Sequence, residues 1–165
     1  MTLLPAVFGI VFNNDRTAIL LVKRRDVPLW TLPGGGKEEN ETNEKALQRE
    51  IKEETGCIVN IIRLCAIYTP VNRLAASTSI YMCQIESGVL SLSDETAAVA
   101  FHPLNKLPLS LFHIHAHWLN EALAHSTCIQ RTLNEVSYYS LMKYFLRHPF
   151  NVIKFAWTRF FAGKR

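Results

Sequence analysis

The sequence predicts one domain of the α/β (α+β) class, a mixed sheet carrying helices. Three observations lead there. The first hundred residues are built from short apolar runs rich in Ile, Val and Tyr and separated by turn signals. Residues 43–55 have helical composition and lie between a capping threonine and a glycine. Beyond residue 110 the pattern turns helical, over 111–124 and again over 131–147. At 165 residues the chain can bury a sizeable single core and is short for two domains.

Residues 5–12 and 18–23 are apolar runs joined by the turn-like NNDR, a hairpin signal. WTLPGGGKEENET follows and reads as a glycine-rich loop. The helix at 43–55 has Thr42 as its N-cap and Gly56 as its C-cap. Strands are expected over 58–68 and 78–85, with a short one at 99–102 before the turn-like HPLNKLP. Pro149 should end the last helix, after which NVIKFAWTRFF resumes as an aromatic, basic segment. The expected organisation is a core at 1–125 and a helical, basic and aromatic extension of the same domain at 126–165.

Apolar residues make up 48% of the chain and charged residues 19%, an ordinary globular balance. No stretch of 18 or more apolar residues exists, so no spanning helix is expected. The apolar run near the start lacks a basic flank and is broken by Pro5 and Gly9, so it reads as a strand rather than a signal peptide. Four cysteines (Cys57, Cys65, Cys83, Cys128) without C-x-x-C spacing read as buried free thiols in a reducing cytoplasm. The net charge of +4 hides an asymmetry. Seven of the fourteen acids fall between residues 38 and 54, whereas residues 131–165 hold seven Lys/Arg against the single acid Glu135.

The acidic half of that asymmetry concentrates on one helix face. Glu50, Glu53 and Glu54 stand at i, i+3 and i+4, so three carboxylates project to one side. Leu47 and Ile51 stand opposite and can anchor the helix on a sheet. Like charges at this spacing destabilise a helix by a few tenths of a kcal/mol per pair, about 0.2–0.5. The face is either a solvated acidic surface, partly offset by Arg49, or a set of hard oxygen ligands suited to Mg²⁺ or Mn²⁺. The loop Pro33-Gly34-Gly35-Gly36 lets backbone approach a ligand closely, because no Cβ intervenes.

The full spacing is Gly35, five residues, Glu41, seven residues, then Arg49-Glu50-Ile51-Lys52-Glu53-Glu54-Thr55-Gly56-Cys57. This resembles the Nudix box, G-x5-E-x7-R-E-U-x-E-E-x-G-U, with U a bulky apolar residue. All seven fixed residues match, a coincidence expected on the order of once in 10⁸–10⁹ starting points. Cys57 is a smaller residue than the final U, and Asn40 stands where many members have glycine, an exchange that keeps access to positive φ.

The resemblance covers the box and, more loosely, residues 1–125. It implies a Nudix fold, a mixed β-sheet sandwiched between helices. It implies a metal-dependent pyrophosphohydrolase that cleaves a nucleoside diphosphate linked to a group X into a nucleoside monophosphate and phosphate-X. By motif position Glu50, Glu53 and Glu54 become metal ligands for Mg²⁺ or Mn²⁺, with a carbonyl of Gly34 or Gly35 as a further oxygen. Arg49 orients the glutamates, and Glu41 steadies the loop–helix–loop. The general base is Glu50, Glu53 or Glu95, the last in the LSDET loop.

The substrate stays open among ADP-ribose, nucleotide sugars and normal or oxidised (d)NTPs. Arg24 and Arg25, at a strand end beside the loop, are candidates for phosphate contact or for plain exposure. Trp30 and Tyr68 are candidates for base stacking or for core packing. His113, His115 and His117 make an H-x-H-x-H run in which a helix-start or surface role outweighs a zinc site. The aromatic, basic tail could dock on its own core, pair two subunits as a homodimer, or lie on an anionic membrane, the last least favoured because its apolar positions make no clean stripe. No stable nucleic-acid complex is expected. The alternative function is a catalytically silent binding or regulatory module acting through that tail, against which stands the intact box.

Overall fold

The computed structural model describes residues 4–70 and 76–133. In chain order the elements are β1 (Ala6–Phe12), β2 (Ala18–Arg24), β3 (Trp30–Thr31), β4 (Gly34–Gly36), α1 (Asn43–Thr55), β5 (Cys57–Pro70), β6 (Thr78–Gly88), β7 (Thr96–Pro103), α2 (His113–Ala124) and β8 (Ile129–Leu133). The sheet runs β3-β2-β1-β6-β5-β8, with β4 added to β1 and β7 to β2. It is mixed: β1 is parallel to β6 and β5 to β8, and the other pairings are antiparallel.

Period-two alternation decides which helix each strand residue meets. Val7 and Val11 of β1 join Leu20, Val59, Tyr81 and Cys83 beneath Ala46, Leu47 and Ile51 of α1. Ile10 and Phe12 turn to the opposite face, where Ile19, Leu21, Tyr68 and Ile80 pack against Ile114, Trp118, Leu119 and Ala122 of α2. The sheet is therefore sandwiched between the two helices, as the resemblance implied. At Gly9 a Cβ would stand 2.8 Å from the Ile51 Cδ1 atom, so this glycine sets how closely α1 lies on β1.

The expected hairpin is short. β1 and β2 pair only at Phe12 and Ile19, after which the strands part, β1 towards β6 and β4, β2 towards β7 and β3. Asp15 closes the turn by accepting from the Thr17 amide at 3.1 Å. Helix α1 has the bounds that its caps prescribe. The Thr42 hydroxyl accepts from the Lys45 amide at 3.2 Å, and Gly56, at φ 74°, donates its N–H to the Lys52 carbonyl at 2.8 Å.

Four expectations change. The glycine-rich loop contains two short strands, because β1 and β2 supply open edges for it. The strand expected at 99–102 runs over Thr96–Pro103 along the whole of β2. Residues 131–133, expected to begin a helix, belong to β8, which extends β5. Of the four thiols, Cys57, Cys65 and Cys83 are buried and Cys128 is exposed. The rest of the helix expected over 131–147 and the aromatic tail lie outside the described residues. Among the described residues no helix is long and apolar enough to cross a membrane.

Candidate active site

The site forms where β4 passes under α1. Antiparallel pairing sets Gly34, Gly35 and Gly36 opposite Phe8, Val7 and Ala6. The glycines are required for space. At Gly34, with φ +140°, a Cβ would fall 2.1 Å from the Val7 carbonyl oxygen. At Gly35 it would fall 2.6 Å from Glu50 Oε2, so the Glu50 carboxylate lies directly against the strand.

One turn further along α1, Glu54 Oε2 accepts from the Gly34 amide at 2.8 Å. Burial pushes the Glu54 carboxyl up to about 7; the Gly34 amide opposes this, the neighbouring Glu50 charge adds to it, and Glu95 adds a little more. Glu50 is also raised, first by burial and against the Arg49 hydrogen bond, with the charges of Glu53 and Glu95 contributing. Two carboxylates that burial and mutual repulsion both disfavour as anions make a natural seat for a cation, which would reverse each shift.

Arg49 ties the constellation together. Its Nε and Nη2 grip Glu41 at 3.0 and 3.1 Å, its Nη1 donates to Glu50 at 2.9 Å and to Glu53 at 3.3 Å, and its Nη2 also reaches the Gly36 carbonyl at 3.1 Å. The Glu41 bonds are the main reason why the guanidinium is held far above its usual range. Glu41 is held low by the same contact and also accepts from the Glu38 amide at 3.2 Å. Asn40, just before it, has φ 63°, the left-handed conformation that glycine or asparagine serves. The planar fork thus joins the loop, the glycine strand and three glutamates.

Glu53 stands apart from Glu50 and Glu54. Its side chain is 61% exposed and turns to Arg49 at the rim. Among the described residues, no three His, Cys, Asp or Glu side chains stand grouped as a ready metal shell. The donor chemistry nevertheless fits a hard divalent cation: two part-buried carboxylates and a third one helical turn from Glu50, beside a strand whose missing Cβ leaves room for a carboxylate.

The other candidates divide. Glu95 is exposed in the loop before β7, and its charge is felt at Arg24, Glu50 and Glu54, so it belongs to the rim. Arg24 is gripped two-pronged by Asp26 at 2.8 and 2.7 Å and also feels Glu54 and Glu95. Arg25 ties the end of β2 to the start of β7, its Nε donating to the Thr96 carbonyl at 3.0 Å and its amide to the Glu95 carbonyl at 3.0 Å. Trp30, in β3, is partly buried and meets the His102 ring edge-on at 4.5 Å. Tyr68 is 2% exposed. Its hydroxyl donates to Glu121 and its ring leans on Trp118 at 5.4 Å, so of the two readings it takes core packing.

His115 stands in the first turn of α2, as the helix-start reading of the H-x-H-x-H run has it, but its burial was not expected. It is buried, not on the surface, and its Nδ1 accepts from the Leu32 amide at 3.0 Å. Burial pushes its pKa down to about 3, helped by the charges of Arg24 and His113. A signal was present: on α2, His115 falls one turn before Trp118 and Leu119 and two before Ala122, within the buried stripe.

Comparisons with known proteins agree with this architecture. A family model described as the NUDIX domain matches residues 2–122. A protein of Methanocaldococcus jannaschii named ADP-ribose pyrophosphatase is 35% identical over 113 residues, covering 65% of this chain and 66% of that protein. A MutT-like protein of Streptomyces ambofaciens is 31% identical over 118 residues, covering 72% and 75%. The crystal structure of an ADP-ribose pyrophosphatase from Streptococcus suis superposes with a TM-score of 0.64 at 26% identity, covering 78% of this chain and 98% of that one. With the family model spanning most of its length and the box carboxylates gathered on one helix, the chain belongs to the NUDIX family of hydrolases.

Proposed function

We propose that the chain is an Mg²⁺- or Mn²⁺-dependent pyrophosphohydrolase. Its substrate is a nucleoside diphosphate linked to a further group, cleaved to a nucleoside monophosphate and phosphate-X. The convergence of Glu50 and Glu54 against the Gly34–Gly35 backbone carries this reading. A divalent cation held by Glu50 and Glu54, with Glu53 joining from the rim and a Gly34 or Gly35 carbonyl beside them, would neutralise pyrophosphate oxygens and supply a water of lowered pKa.

The chain's own residues have separate tasks in this reading. Arg49 holds Glu50 and Glu53 at fixed spacing while Glu41 anchors Arg49 to the loop. The proton acceptor for the attacking water comes from the exposed rim carboxylates, Glu53 or Glu95, since Glu50 and Glu54 lie on the more buried side. Arg24 can exchange Asp26 for a phosphate oxygen, a charge-assisted bond of the same kind. Trp30 is the aromatic candidate for base stacking, as Tyr68 is enclosed in the core.

Two of the similar proteins are named as ADP-ribose pyrophosphatases, so ADP-ribose leads the substrate panel. The test is chromatographic detection of nucleoside monophosphate from ADP-ribose, nucleotide sugars, dinucleoside polyphosphates, and normal and oxidised (d)NTPs, with Mg²⁺, Mn²⁺ or EDTA. Metal-dependent monophosphate formation supports the reading and names the group X. No turnover on any of them overturns it.

A further inference from the structure

We propose that His115 is a positioning residue that carries α2's hold on the Leu32–Gly34 segment to the active site. The inference rests on the proposed metal-dependent reading of that site and adds to it a residue outside the box.

The connection is a short covalent and hydrogen-bonded path. His115 Nδ1 accepts from the Leu32 amide at 3.0 Å. Two residues on, the Gly34 amide donates to Glu54 Oε2 at 2.8 Å. Between them, the Pro33 carbonyl accepts from the Gly9 amide at 2.9 Å, and Pro33 has no N–H to offer. Residues 32–34 are thus held by three elements at once: by α2 through His115, by β1 through Gly9, and by α1 through Glu54. Of these holds only the first is made by a side chain from outside the box and its supporting strand.

The His115 ring is itself enclosed by other rings. Phe8, which pairs with Gly34, meets it edge-on at 4.7 Å, Trp118 lies against it at 4.7 Å and Phe112 at 5.4 Å. An Nδ1 that accepts places the proton of the neutral imidazole on Nε2. Burial among these rings, beside the charges of Arg24 and His113, keeps the imidazole neutral and so keeps the acceptor available. Leu32 is itself buried, and its amide has no water to turn to.

A change at His115 should therefore reach the metal site without touching substrate. Three variants separate this from a plain packing role. Asn places an oxygen near the position of Nδ1. Gln carries its amide further out, near Nε2. Leu fills similar space with no acceptor. The readouts are kcat and KM for ADP-ribose or the best panel substrate, direct Mn²⁺ binding by electron paramagnetic resonance, and thermal unfolding.

The expected result is that His115→Leu and His115→Gln lower kcat by tenfold or more and weaken Mn²⁺ binding several-fold with KM within about twofold, whereas His115→Asn restores most of both. If the Leu variant does not fold, the Asn and Gln pair decides. Variants that unfold at lower temperature but keep wild-type kcat and Mn²⁺ affinity overturn the proposal and leave His115 a packing residue. A wild-type protein that neither binds Mn²⁺ nor turns over substrate overturns the metal-dependent reading itself, and the inference falls with it.

Discussion

Gly35→Ala is the substitution that most cleanly separates the site from the fold. The new Cβ would stand 2.6, 2.7 and 2.9 Å from the three atoms of the Glu50 carboxyl group. Ordinary contact begins near 3.4 Å, so the carboxylate must retreat by 3.4 − 2.6 = 0.8 Å. It is the far end of a flexible side chain, bonded to Arg49 at 2.9 Å, and Gly35, unlike Gly34, Gly56 and Gly88, has no positive φ. The fold should therefore yield at little cost, with stability changed by less than about 1 kcal/mol, the size of the opposing loss of glycine's freedom in the unfolded chain. Catalysis should not yield so easily. A displacement of about 1 Å in a reacting constellation costs on the order of 10²-fold, or about 2.7 kcal/mol of barrier. Gly34→Ala supplies the contrast. Its Cβ would meet the Val7 carbonyl oxygen at 2.1 Å with φ at +140°, and neither is a side chain that can swing away, so the fold itself should lose more than about 2 kcal/mol. Urea unfolding gives stability and initial rates with saturating Mg²⁺ give activity. A Gly35→Ala protein with activity within twofold of wild type, or one destabilised as severely as Gly34→Ala, would refute the argument that Glu50 is seated on Gly35.

Arg49→Lys should lower kcat at least tenfold and stability by about 1–2 kcal/mol, because one ammonium cannot hold Glu41, Glu50, Glu53 and the Gly36 carbonyl together; near wild-type turnover would count against Arg49 as the organiser. Glu54 makes a pH prediction. Its pKa is raised in the folded state to about 7 from an ordinary 4.5, so its favourable contribution is complete below pH 4.5 and is lost as pH rises through about 7. In EDTA the wild type should lose on the order of 2–3 kcal/mol through this window, Glu54→Gln should remove that part of the slope, and added Mg²⁺ should flatten it in the wild type; identical slopes in the two proteins would contradict the assignment.

What the sequence could reveal follows the range of the forces involved. Helix α1 was legible to the residue because its caps, its anchors Leu47 and Ile51, and its carboxylate spacing all lie within a few residues of each other. The same locality exposed the box. β4 was not legible, because three successive glycines have no strand preference of their own, and what straightens them is an edge of β1 some thirty positions away in the chain. β8 was hidden for the same reason: residues 129–133 pair in parallel with β5, which precedes them by some sixty positions. Tyr68 could not be placed until the alternation of β5 was known relative to α2. The helix-start position of His115 was legible in the H-x-H-x-H run, but its burial follows only from its place in the stripe with Trp118, Leu119 and Ala122. The ion-pair hub of Arg49 was partly visible, since Glu50 and Glu53 lie beside it on the helix, but its grip on Gly36 depends on β4.

The measurement that bears most directly on the central claim is nucleoside monophosphate formation by the wild type, Glu50→Gln and Glu54→Gln, each with Mg²⁺ and each with EDTA, on ADP-ribose and then on the rest of the panel, with circular dichroism to show that all three are folded. The account predicts turnover by the wild type in Mg²⁺ alone and a loss of 10²-fold or more in both folded variants. Turnover that persists in EDTA, or that survives in both glutamine variants, would contradict the assignment of catalysis to the carboxylates gathered on α1.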